Sequence, residues 1–176
     1  MHWLRLTIVL IIVALLQVTV APALEVRHVR PDLLLLVAVC IAVREPLGGR
    51  SRWHAFWTGW LAGLAVDVFS AGSPLPFGST ALVFGLVAIG MSKLGEELFL
   101  ESAIAQILVL APACLAAHLA LAVALLAFRG GHAGATLGRG FWTAMYSALA
   151  GPVVFAVLGR FERFLGMRSR RSFGRV

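Results

Sequence analysis

A carboxylate embedded in apolar sequence needs a partner, and Asp67 is such a group, lying within the run Gly59 to Leu82, GWLAGLAVDVFSAGSPLPFGSTAL. Gly59, Gly63 and Asp67 follow one another at intervals of four, so on a helix they form a smooth stripe that ends in the carboxylate. Small residues at that spacing let a second helix come close, which serves either packing within the chain or docking of another protein. Asp67 has three readings: a fold-stabilising hydrogen bond to a helix N-terminus in the Gly/Ser/Pro-rich loop that follows, contact with a partner, or a proton or ligand site. Pro31-Asp32 opens another apolar segment, with the proline pre-set for a helix start and the acid near the positive end of the helix dipole. His118, deep in apolar sequence, reads as a satisfied core histidine or a cavity lining rather than a metal ligand.

Catalytic spacings are not met. Neither Gly72-Ser73 nor Gly78-Ser79 supplies the G-x-S-G of a rhomboid-like serine protease. Glu96-Glu97 begins like the E-E-x-x-x-R of intramembrane prenyl-protease relatives, but Glu101 stands where arginine is required. No Walker, Rossmann or zincin pattern occurs, and no cofactor or metal is implied. Cys40 and Cys114 each sit inside an apolar run and read as small buried hydrophobes, without a disulfide framework or metal-ligand spacing.

The elements that position these residues follow from composition. The 176 residues are 60% hydrophobic and 13% charged, against about 45–50% and 25% in soluble domains. A mean hydropathy of +0.93 over the whole length excludes a soluble globular domain and a disordered chain, and points to a polytopic membrane protein. Apolar segments run over 6–24, 32–43, 55–70, 77–94, 102–128 and 141–159. None alternates like a barrel strand, so the fold class is all-α: a transmembrane helical bundle of six spans over 1–159, then a basic tail over 160–176. The second segment is the weak one, since twelve residues cover only about 18 Å of a core roughly 30 Å thick. It must be short, shielded by neighbours or extended by its charged flanks. Pro112 and Pro152 should kink the fifth and sixth segments. Trp3, Trp53, Trp57 and Phe141-Trp142 stand at segment ends, as an aromatic belt requires.

The N-terminus also imitates a secretory signal, with Arg5, an apolar stretch and Ala21-Pro22-Ala23, but the 19 apolar residues from Leu6 to Leu24 exceed a signal core and suit a span. Placing the N-terminus in the cytoplasm puts eleven Lys and Arg residues on the inner side and four on the outer, which predicts both termini inside. Six arginines, Arg160, Arg163, Arg168, Arg170, Arg171 and Arg175, crowd the last 17 residues, where anionic lipid headgroups rather than nucleic acid are the expected contact.

Taken in order, Pro31-Asp32-Leu33-Leu34-Leu35, a basic loop, G-x-x-x-G-L-x-x-D (Gly59, Gly63, Leu64, Asp67), a Gly/Pro-rich turn, and Gly78 with Ala81-Leu82 resemble the MreD family of bacterial rod shape-determining membrane proteins. The motifs span residues 31 to 95; elsewhere the resemblance is in length, span number and the short basic tail. It implies a non-enzymatic scaffold of the cell-wall elongation machinery in the bacterial inner membrane. The partners it implies are an MreC-like single-span protein, the MreB filament, RodA and a class B penicillin-binding transpeptidase; a second copy of the chain is a further candidate. The family is also similar in fold to the S components of energy-coupling-factor transporters, which supplies the alternative of a small-molecule-binding subunit. Against that alternative, the first segment lacks an A-x-x-x-A docking surface and few polar side chains are available to line a pocket.

Overall fold

The computed structural model describes residues 3–26, 29–44, 49–69, 75–94, 102–129 and 133–165. They form six helices, α1 (Trp3–Thr19), α2 (Leu33–Arg44), α3 (Gly49–Phe69), α4 (Ser79–Leu94), α5 (Ala103–Arg129) and α6 (Ala133–Leu165). Among the described residues the β pairing is confined to an isolated bridge between Val26 and Val29, in the connection from α1 to α2. The fold is therefore an all-α bundle.

The shortest helix is the centre of it. Every residue from Leu34 to Val43 is buried, and α2 packs against all five other helices. This resolves how a 12-residue segment, only about 18 Å long, sits in a membrane protein: its neighbours cover it, so its backbone ends need not reach the lipid boundary. Lipid provides no hydrophobic drive between helices, and α2 is held instead by close packing and polar pins at its ends.

Helix bounds differ from the hydropathy bounds in physically simple ways. α1 stops at Thr19 rather than reaching Leu24; Val20 to Leu24 continue as turns, with Ala23 and Leu24 both donating to the Val20 carbonyl. α3 begins at Gly49 and α6 runs from Ala133 to Leu165, well outside 55–70 and 141–159. Charged residues such as Arg52, Arg139 and Arg160 end an apolar segment without ending a helix, so Arg160 and Arg163 lie within α6. Arg168, Arg170, Arg171 and Arg175 lie outside the described residues. Both α5 and α6 continue through their prolines, Pro112 and Pro152. The windows Ala103–Phe128 and Gly134–Arg160 are long and apolar enough to cross a membrane by length and composition. Large apolar side chains such as Leu4, Ile104, Leu108 and Val153 are 65–79% exposed, an outer surface suited to lipid rather than water.

Contacts fix how the helices run. Gly59 faces Ala88 while Gly63 faces Thr80 and Ala81, so α3 and α4 are antiparallel. Gly151 packs on Leu110 and Gly140 on His118, so α5 and α6 are antiparallel. Ala42, Ala55 and Ala88 cluster, which brings the end of α2, the start of α3 and the end of α4 together. Trp3 meets His54 edge-on at 5.4 Å, and Arg44 meets Phe155. One end of the bundle thus carries Arg5, Arg44, Arg52, Lys93 and Arg160, while the opposite end carries Glu25, Asp32 and Asp67. Among residues with described side chains, every acid lies at that second end.

Candidate functional site

The stripe Gly59, Gly63 and Asp67 is occupied by α4. A Cβ on Gly63 would stand 2.5 Å from the Thr80 carbonyl oxygen and 2.6 Å from Ala81 Cα, and one on Gly59 would meet the Phe84 carbonyl and Ala88. Those approaches are closer than any side chain allows, so glycine is what sets the α3 to α4 distance. The seam is reciprocal: Gly85 on α4 receives the Phe56 ring, where an added Cβ would lie 2.7 Å from Cε2.

Asp67 completes the same seam. Its Oδ2 accepts from the Gly78 N–H at 2.9 Å and from the Ala81 N–H at 3.4 Å. These are donors at the start of α4 that have no intrahelical acceptor, and the carboxylate also lies at the positive end of the α4 dipole. Gly78 can point its N–H this way because its φ is +91°, a conformation that costs other L-residues strain. The turn is closed by Ser79, whose hydroxyl donates to the Pro76 carbonyl at 2.7 Å.

Pro31 and Asp32 form a second polar seat, separate from the first but at the same end of the bundle. Asp32 Oδ1 accepts from the Leu35 N–H at 3.1 Å, the geometry of an N-cap on α2. The Asp32 N–H donates to Ser147 Oγ of α6 at 2.9 Å. The Leu33 N–H donates to Gln17 Oε1 of α1 at 2.7 Å, while Gln17 Nε2 donates to the Pro31 carbonyl at 3.2 Å. The start of α2 is therefore tied to α1 and α6 through its own unpaired backbone groups. His118 lies on α5. Its Nδ1 pairs with the carbonyl of Cys114, four residues earlier on the same face, at 2.8 Å. Among the described residues no group of three His, Cys, Asp or Glu side chains is placed to hold a metal ion. The other end of α2 is tied by Arg44, whose Nη2 donates to the Phe155 carbonyl at 3.0 Å and whose guanidinium lies 4.9 Å from the centroid of the Phe155 ring.

Of the five residues singled out on α3 and at the start of α2, three converge on the α3–α4 seam and two on the α2 cap. Gln17, Arg44, Ser147 and Gly85 were missed. Gln17 carried a usable signal, an amide inside an apolar segment; Arg44 and Ser147 act on residues more than 100 positions away, and nothing local announces that. A model of the rod shape-determining protein MreD family matches residues 1–161. The chain belongs to the MreD family. The match takes in α1 to α5 and all but the last residues of α6, and both polar seats with it; Arg163, Arg168, Arg170, Arg171 and Arg175 lie beyond it. No curated protein sequence and no solved structure matches the chain. The family is one of shape-determining membrane proteins, and the polar groups described above are engaged in holding helices together.

Proposed function

We propose that the chain is a non-enzymatic scaffold subunit of the bacterial cell-wall elongation complex, an inner-membrane protein that links an MreC-like single-span partner to the wall synthases. The family match over residues 1–161 carries this reading. The geometry supports it: glycines, caps and amide bridges hold six helices in one arrangement, and the carboxylates that would be candidates for chemistry are occupied as caps. RodA, a class B transpeptidase and the MreB filament are the further partners of this reading. We further propose six crossings with both termini in the cytoplasm. The concentration of Arg5, Arg44, Arg52, Lys93 and Arg160 at one end of the bundle supports that orientation. The remaining tail arginines then meet anionic lipid on the same side.

Affinity purification of the chain from membranes tests the scaffold reading. The expected companion is a single-span coiled-coil protein of the MreC type, together with wall synthases. Recovery of ATPases and a transmembrane coupling subunit instead would establish the transporter reading and overturn this one. Reporter fusions after Arg52 and after Arg170 test the orientation: both should report the cytoplasmic side, and opposite sides would contradict six crossings.

A further inference from the structure

The outer face of α3 carries an aromatic column that a belt at a single membrane level does not require. Trp53, Trp57 and Trp60 recur at intervals of four and three, with Trp53 64% and Trp57 44% exposed. Their rings form an edge-to-face chain, with Trp53 to Phe56 at 6.1 Å, Phe56 to Trp57 at 5.6 Å and Trp57 to Trp60 at 5.6 Å. At 1.5 Å per residue the column descends about 10 Å from Trp53 to Trp60. Phe56 lies over Gly85, so the column flanks the α3–α4 seam. Gly59 opposite Ala88 sets the register, which places Lys93 level with the first turns of α3, where Arg52 lies; both cations are exposed.

We propose that this face seats one anionic phospholipid, its phosphate held between Arg52 and Lys93 and its glycerol esters and upper chains lying along Trp53, Trp57 and Trp60. Charge complementarity selects the headgroup: Arg52 and Lys93 are two exposed cations at this level, and an anionic phosphate answers them. Depth selects a lipid rather than a soluble anion. Indole N–H groups donate only, and a phospholipid offers phosphate and ester acceptors over the depth of the column. The seat is independent of the scaffold reading and distinct from the arginine tail.

The test uses the full chain with Trp3→Phe and Trp142→Phe, which leaves Trp53, Trp57 and Trp60 as its tryptophans. It is reconstituted in phosphatidylcholine containing an equal small fraction of either brominated phosphatidylglycerol or brominated phosphatidylcholine. The anionic quencher should associate more tightly, by roughly five-fold for each cation. Arg52→Gln with Lys93→Gln should abolish the preference, Arg52→Lys should retain most of it, and Arg168→Ala with Arg170→Ala and Arg171→Ala should leave it in place. Equal quenching by the two lipids in the parent overturns the seat. So does a preference that survives the double variant, or one lost in the tail variant alone.

Discussion

Replacing Gly63 by alanine adds one methyl group, and the structure says where it must go. Its Cβ would lie 2.5 Å from the Thr80 carbonyl oxygen, 2.6 Å from Ala81 Cα and 2.7 Å from Ala81 N. All three are backbone atoms of α4, so no side-chain rotation makes room. Ordinary carbon contacts are about 3.5–4.0 Å, and α4 must retreat by roughly 1 Å. That retreat also pulls on the Asp67 to Gly78 hydrogen bond, 2.9 Å long and one turn further along the seam. Overpacking of this kind costs about 1–3 kcal/mol, offset in part by the roughly 0.5–1 kcal/mol that alanine gains over glycine in a helix. The net expectation is destabilisation of about 1–2 kcal/mol. Gly90 of α4 is the internal control, since nothing lies within 4 Å of an added Cβ there. Gly90→Ala collects only the helix gain and should stabilise by about 0.5–1 kcal/mol. Unfolding of the purified protein in mixed micelles, followed by circular dichroism against increasing sodium dodecyl sulfate, reads both variants. Shifts of the same sign and size would refute the close approach of α3 and α4.

Asp67→Asn keeps an oxygen acceptor for Gly78 and should retain most of the fold's stability, whereas Asp67→Ala leaves the start of α4 uncapped and should cost about 1–2 kcal/mol in the same titration; equal losses would mean that charge rather than hydrogen bonding is what matters. Gln17→Leu strips the Leu33 N–H and the Pro31 carbonyl of their partner and should cost about 1–3 kcal/mol, with faster hydrogen exchange at Leu33 as the local readout. Thr58 is fully buried and its hydroxyl has no hydrogen-bond partner among the described residues, so Thr58→Val, which keeps the branched shape, should be neutral or stabilising by up to about 1 kcal/mol; a marked loss would mean that the hydroxyl is satisfied in the folded protein. Replacing Arg168, Arg170 and Arg171 by alanine should weaken binding of a tail peptide to anionic vesicles by about five-fold per arginine and flatten its salt dependence, measured by co-sedimentation.

What could be read from sequence was what depends on local chemistry. Pro31-Asp32 announces a helix start, and it is one; the four-residue spacing of Gly59 and Gly63 announces close packing, and α4 sits there. A helix N-terminus in the loop after Asp67 was among the readings of its carboxylate, and Gly78 and Ala81 supply the donors. The central position of α2 was not apparent, because burial by five neighbours is a property of the assembled bundle and hydropathy registers only that the segment is short. The ties from Asp32 to Ser147 and from Arg44 to Phe155 were hidden for the same reason. The extent of α6 was underestimated because arginines and glycines end an apolar segment, while a helix continues through them wherever its backbone bonds are made.

The scaffold reading is tested most directly in a rod-shaped bacterium whose own copy of this chain can be withdrawn. Cells depleted of the chain should widen and round, the parent should restore the rod, and Gly63→Leu, which forces α4 away from α3, should restore it poorly or not at all. Cells that keep their width and length after depletion, while losing uptake of a small molecule, would contradict the account.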